Sequence, residues 1–186
     1  MGRRSFENYG VLASKVEDCT VLAGRYSFQK SSERNILHDI LAKLDLRPEH
    51  SLLDIGCNAG NLTIPLSFMV AGTTGLDHPE CLRRLREKFP NGIELVSGNF
   101  LDVPLSRPFD RILCYSVLHY LRSADEVYKF MDKTARLPHC PPPPVSARLA
   151  GMDAGGVRWG RCTWNRSPAA WGSAGHAAGS SCDFVL

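Results

Sequence analysis

Apolar residues recur at helical spacing from Arg34 to Leu44. Ile36, Leu37, Ile40, Leu41 and Leu44 form one stripe, Ser32 is placed to cap its start, and Pro48 follows. The spacing then changes. Ser51-Leu52-Leu53-Asp54-Ile55 is a short apolar run that ends at glycine, the mark of a strand buried on both faces. Asn61 to Met69 reads as a helix if Pro65 lies in its first turn. Thr73 to Asp77 is a second strand, ending in a carboxylate, and Pro79 to Phe89 is a helix. Ile93 to Val96 and Phe109 to Tyr115 read as the third and fourth strands. Ser123 caps a last helix from Ala124 to Arg136, with Val127, Phe130 and Met131 inward. This alternation predicts an α/β fold: a parallel sheet with helices on both faces.

The pattern stops at Leu137-Pro138. Residues 138–186 hold five Ile, Leu or Val against 34 in residues 1–137, and 26 of the 49 positions are Gly, Pro, Ala or Ser. Pro141 to Pro144 favours extended polyproline backbone. Neither helical nor strand periodicity persists, and the apolar content is too low to offset ordering entropy, so an irregular tail is expected. The chain therefore divides into an N-terminal cap over 1–32, a domain over 33–137 and the tail over 138–186.

Charge and composition narrow the classes. A net charge of +3 argues against a nucleic-acid binder, which would cluster many more basic residues. No apolar run is long enough for a membrane helix. The seven cysteines include no CxxC pair, so no metal site is expected, and reduced thiols point to a cytoplasmic protein.

Ligands of such sheets bind beyond the carboxyl ends of the strands. The first strand runs into Asp54-Ile55-Gly56-Cys57-Asn58-Ala59-Gly60 and then a helix. Glycines there admit positive φ and close backbone approach, and a helix start offers free N–H groups. The spacing is not the G-x-G-x-x-G of dinucleotide enzymes.

"LLDIGCNAG" resembles the first motif of class I S-adenosylmethionine-dependent methyltransferases. Asp77, "GNFLDV" and "FDRILCYSVLHYL" resemble the acidic end of that family's second strand, the segment after its third, and its fourth strand with the following loop. The resemblance covers about residues 33–136 and implies a Rossmann-like fold with S-adenosylmethionine as cofactor. It implies that Gly56, Cys57, Asn58 and Gly60 line the methionine part of the cofactor, with Asp54 ordering the loop. Asp77, with His78 beside it, would take the ribose hydroxyls. Asp102 would accept from the adenine amine, with Phe100 or Leu101 against the ring. Tyr115 and Ser116 would lie under the sulfonium and the acceptor, with Tyr115 and His119 as the catalytic candidates. The segment before residue 33, with Tyr9, Tyr26 and Phe28, would lid the cofactor. A small-molecule methyl acceptor is expected; its identity and the oligomeric state are not legible. The alternative is a non-catalytic fragment that binds the cofactor or a partner without turnover.

Two departures from the family stand out. Asn58 occupies a position where glycine is usual, although Asn tolerates left-handed backbone better than most residues. After Arg136 the family would add further strands, whereas here the chain becomes Pro-His-Cys-Pro-Pro-Pro-Pro. A sheet truncated after its fourth strand, with that strand's edge uncovered, is the expectation, and with it weak or no activity. The abrupt change suggests an out-of-frame or aberrant tail, a point that resequencing the coding DNA decides.

Overall fold

The computed structural model describes residues 6–137 in full and, for their backbone, residues 148–153, 156–161 and 184–185. Helices α1 (Phe6–Lys15) and α2 (Cys19–Leu22) and a 3-10 run over Ser27–Ser32 precede α3 (Glu33–Leu44). Then follow β1 (Ser51–Ile55), α4 (Thr63–Ser67), β2 (Gly72–Asp77), α5 (Pro79–Lys88), β3 (Glu94–Ser97), β4 (Arg111–Leu113) and α6 (Ala124–Arg136). Four parallel strands stand in the order β3-β2-β1-β4, with Leu53 opposite Thr74 on one side and Ile112 on the other.

Strand periodicity separates the two faces. Leu53, Ile55, Leu76 and Ile112 pack with Phe109 and with Phe130 of α6. Leu52 and Leu113 point the other way, onto Ile40 and Leu44 of α3 and Leu66 of α4. Burial on both faces is why these strands read as apolar runs. Arg111 is buried, and its Nε donates to the Leu44 carbonyl at 2.6 Å, which satisfies the end of α3.

The expected elements are all present, and α4 and the fourth strand are shorter than expected. Pro65 does fall in the first turn of α4, which covers only Thr63–Ser67 of the expected 61–69. The fourth strand is three residues long. Ser123 caps α6, its Oγ accepting from the Glu126 N–H at 3.2 Å. Ser32 does not cap α3: it ends the 3-10 run with helical backbone, and its side chain makes no cap bond.

Within the segment expected to be irregular, β5 (Arg148–Asp153) and β6 (Gly156–Arg161) pair antiparallel. The two residues of β7 (Phe184–Val185) pair parallel with Ile112 and Leu113, on the β4 edge expected to be uncovered. Residues 138–147, with the proline run, lie outside the described residues. No helix among the described residues is long and apolar enough to cross a membrane.

Candidate active site

The carboxyl ends of β1 and β2 are joined by hydrogen bonds that shape the loop between β1 and α4. The N–H groups of Gly56 and Cys57 donate to the Leu76 carbonyl at 2.8 and 3.3 Å. The chain then passes through left-handed backbone at Gly56 (φ 82°), Asn58 (φ 52°) and Gly60 (φ 84°). Gly56 is required twice over, because a Cβ there would lie 2.3 Å from Val117 Cγ2. Asn58 holds its position because its Oδ1 accepts from the Ala59 N–H at 2.6 Å.

Two buried carboxylates flank this loop. Asp77 Oδ2 accepts from the Asn58 N–H at 2.7 Å, and Oδ1 from the His78 N–H at 2.6 Å. Burial raises the Asp77 pKa, and these two bonds partly offset it. Asp54 accepts from Thr63 Oγ1 at 2.6 Å; burial pushes its pKa up to about 7, with Thr63 opposing and Asp77 adding to the rise. After β3, Asn99 opens a turn: its Oδ1 accepts from the Leu101 N–H at 3.0 Å, and its carbonyl from the Asp102 N–H at 2.9 Å.

Asp54, Gly56, Cys57, Asn58, Asp77, Leu101, Asp102, Tyr115 and Ser116 converge on one cavity of about 440 Å³. Burial raises the Tyr115 hydroxyl pKa, and the Arg25 guanidinium, 5.5 Å from the ring centroid, opposes that rise. Cys57 is a buried thiol whose pKa burial pushes well up, so it sits there as a small packing group.

Four of the expected residues lie outside the lining. Gly60 turns away, and a Cβ on it would meet Ile64 and Leu85. His78 caps α5, its Nδ1 accepting from the Glu80 N–H at 3.2 Å, and its ring packs 5.1 Å from that of Phe6. Phe100 is buried in the core, 4.6 Å from the Phe130 ring, and of the two adjacent residues it is Leu101 that faces the cavity. His119 is exposed on a 3-10 turn, its ring 3.9 Å from that of Tyr120.

The N-terminal segment completes the lining with Phe6, Glu7, Tyr9 and Arg25. Arg84 of α5 fastens it by donating to the carbonyls of Ala13, Val16 and Glu17. Tyr9 is where the sequence places a lid residue. Tyr26 and Phe28, also expected in the lid, instead stack on each other at the surface, 5.5 Å apart, and are 71% and 78% exposed. Arg25 carried no sequence signal; it is fixed by Glu33 at 3.1 Å, which also accepts from Asn61. Asn99, Tyr120, Arg122 and Glu126 were likewise missed, and Glu126 is paired with Arg122.

A Rossmann-like sheet with a glycine loop after β1 and carboxylates at the ends of β1 and β2 defines a nucleotide-cofactor class of protein. Residues 52–138 match the methyltransferase domain family. That match and the fold support reading the chain as a class I S-adenosylmethionine-dependent methyltransferase. An uncharacterised methyltransferase of Alkaliphilus oremlandii is 30% identical over 107 residues, 56% of this chain and 49% of that protein. One of Bacillus licheniformis is 30% identical over 132 residues, 68% and 59% of the respective chains. The chain thus spans about half the length of the curated relatives it matches. Among solved structures, an N-methyltransferase of Bradyrhizobium japonicum in complex with S-adenosylhomocysteine shares the fold. Its TM-score is 0.61 at 19% identity, over 78% of this chain and 74% of that one. The phosphoethanolamine N-methyltransferase 1 of Haemonchus contortus does so with a TM-score of 0.65 at 20% identity, over 74% and 30%.

Proposed function

We propose that the cavity binds S-adenosylmethionine and that the chain transfers its methyl group to a small-molecule acceptor. The observation that carries this reading is the convergence of Asp54 of β1, Asp77 at the end of β2 and Asp102 from the turn after β3 on one cavity. The lining holds five carboxylates (Glu7, Asp54, Asp77, Asp102 and Glu126) against the guanidiniums of Arg25 and Arg122, in a chain of net charge +3. A local negative excess of this kind suits a ligand with sulfonium and ammonium charges.

Each oxygen of Asp77 accepts one backbone N–H and keeps capacity for a ribose hydroxyl. Asp54 and the backbone of Gly56 to Asn58 face the amino-acid end of the cofactor, and Asp102 with Leu101 faces the adenine. When bound, S-adenosylmethionine supplies an activated methyl group on sulfur. Tyr115 and Ser116 then hold the acceptor in line with it. His119 has no place in this scheme because it is exposed outside the cavity.

The N-terminal segment over the cavity favours a small acceptor, as does the weak net charge. The free thiols of Cys19, Cys57, Cys81 and Cys114 fit a reducing, cytoplasmic setting. The test is release of S-adenosylhomocysteine with a panel of small amines, alcohols and carbon acids, with bulk RNA as comparison. Turnover with a small acceptor supports the proposal; turnover on RNA alone rejects it.

A further inference from the structure

Asn58 stands where a glycine would adopt the same left-handed backbone at less cost, and its side chain is spent elsewhere than on the loop alone. Its Oδ1 faces the Ala59 N–H, so its Nδ2 is the atom that donates to Tyr9 Oη, at 3.0 Å. The Tyr9 hydroxyl in turn donates to the Leu22 carbonyl. One carboxamide and one hydroxyl therefore join α1, the end of α2 and the β1–α4 loop, whose backbone is fixed on Asp77. The Tyr9 ring also packs edge-on against that of Tyr120, at 5.3 Å, and both residues line the cavity.

We infer that Asn58 and Tyr9 form a latch that holds the N-terminal segment closed over the cavity, with Asn58 a positioning residue for that segment. The inference rests on reading the cavity as the cofactor site. It gives Asn58 a role that glycine at this position has no side chain to perform. Burial keeps the Tyr9 hydroxyl protonated, as a group that must donate to a carbonyl has to be.

Hydrogen exchange on the cofactor-free protein tests the latch in four forms: unsubstituted, Asn58→Gly, Tyr9→Phe and the double variant. Each single substitution should speed amide exchange in residues 6–22 by about tenfold and leave β1 and β2 unchanged. The double variant should exchange no faster than Tyr9→Phe, because both changes remove the same bond. Calorimetry should show weaker S-adenosylhomocysteine binding for each variant. Unchanged exchange in residues 6–22, equal acceleration in β1 and β2, or fully additive effects would overturn the latch. If Asn58→Gly does not fold, Tyr9→Phe decides, since it leaves the loop backbone intact. An unsubstituted chain that binds no S-adenosylhomocysteine would refute the cofactor reading, while the exchange data still judge the latch.

Discussion

Thr63 donates its hydroxyl to the buried carboxylate of Asp54 across 2.6 Å, joining the first turn of α4 to β1. A neutral hydroxyl is a weak counterpart for a desolvated charge, which is why the Asp54 pKa stands at about 7.

A proton and the cofactor's ammonium group therefore compete for Asp54. Binding favours the ionised carboxylate, so S-adenosylhomocysteine affinity should rise with pH from about 6 to about 8 and level off above. The sign follows from a free-state pKa above that of the complex: affinity is full above the free-state value and falls below it. Asp54→Asn keeps an oxygen for Thr63, so it should fold normally, bind weakly and lose this pH dependence. Calorimetry across the pH range checks both points. A flat unsubstituted profile would contradict them.

Gly56 combines a φ of 82° with a neighbour 2.3 Å from where a Cβ would sit. Gly56→Ala should suffer backbone strain and overpacking, each costing about 1–3 kcal/mol. Together that corresponds to a drop of roughly 4–24 °C in Tm. Adding Val117→Ala should recover only the packing share. Thermal melts of the unsubstituted chain, Gly56→Ala and the double variant measure the split, and full recovery would show that the backbone is not strained.

Arg84 links α5 to three carbonyls at and just beyond the end of α1, where a cation also suits the helix dipole. Arg84→Ala should leave the sheet's melting nearly unchanged and make the chain near residues 13–19 the first site of limited proteolysis. Cleavage elsewhere first, or no change in cleavage, would mean that the segment is held by other contacts.

The sheet and its loops were legible because their causes are local. Leu52, Leu53 and Ile55 form an apolar run because both faces of β1 are covered, and Gly56 marks where the chain must turn. The resemblance implies that Asp54, Asp77 and Asp102 face the cofactor, and all three line the cavity. Side-chain direction in the loops was less accessible, because a loop has no periodicity to assign a face. Phe100 and Leu101 are adjacent, yet one enters the core and the other the cavity. His119 falls next to motif residues, but its 3-10 turn carries the ring outward. The role of Arg25 depends on Glu33 and Tyr115, contacts set by the tertiary fold.

The central claim is that Asp77 anchors a nucleoside cofactor in the cavity at the ends of β1 and β2. Calorimetric titration with S-adenosylhomocysteine, with NAD as control and Asp77→Ala alongside, tests it most directly. The account predicts saturable binding by the unsubstituted chain, none of NAD, and binding roughly a hundredfold weaker in the folded variant. A folded chain that binds no S-adenosylhomocysteine, or a variant that binds it equally well, would contradict the account.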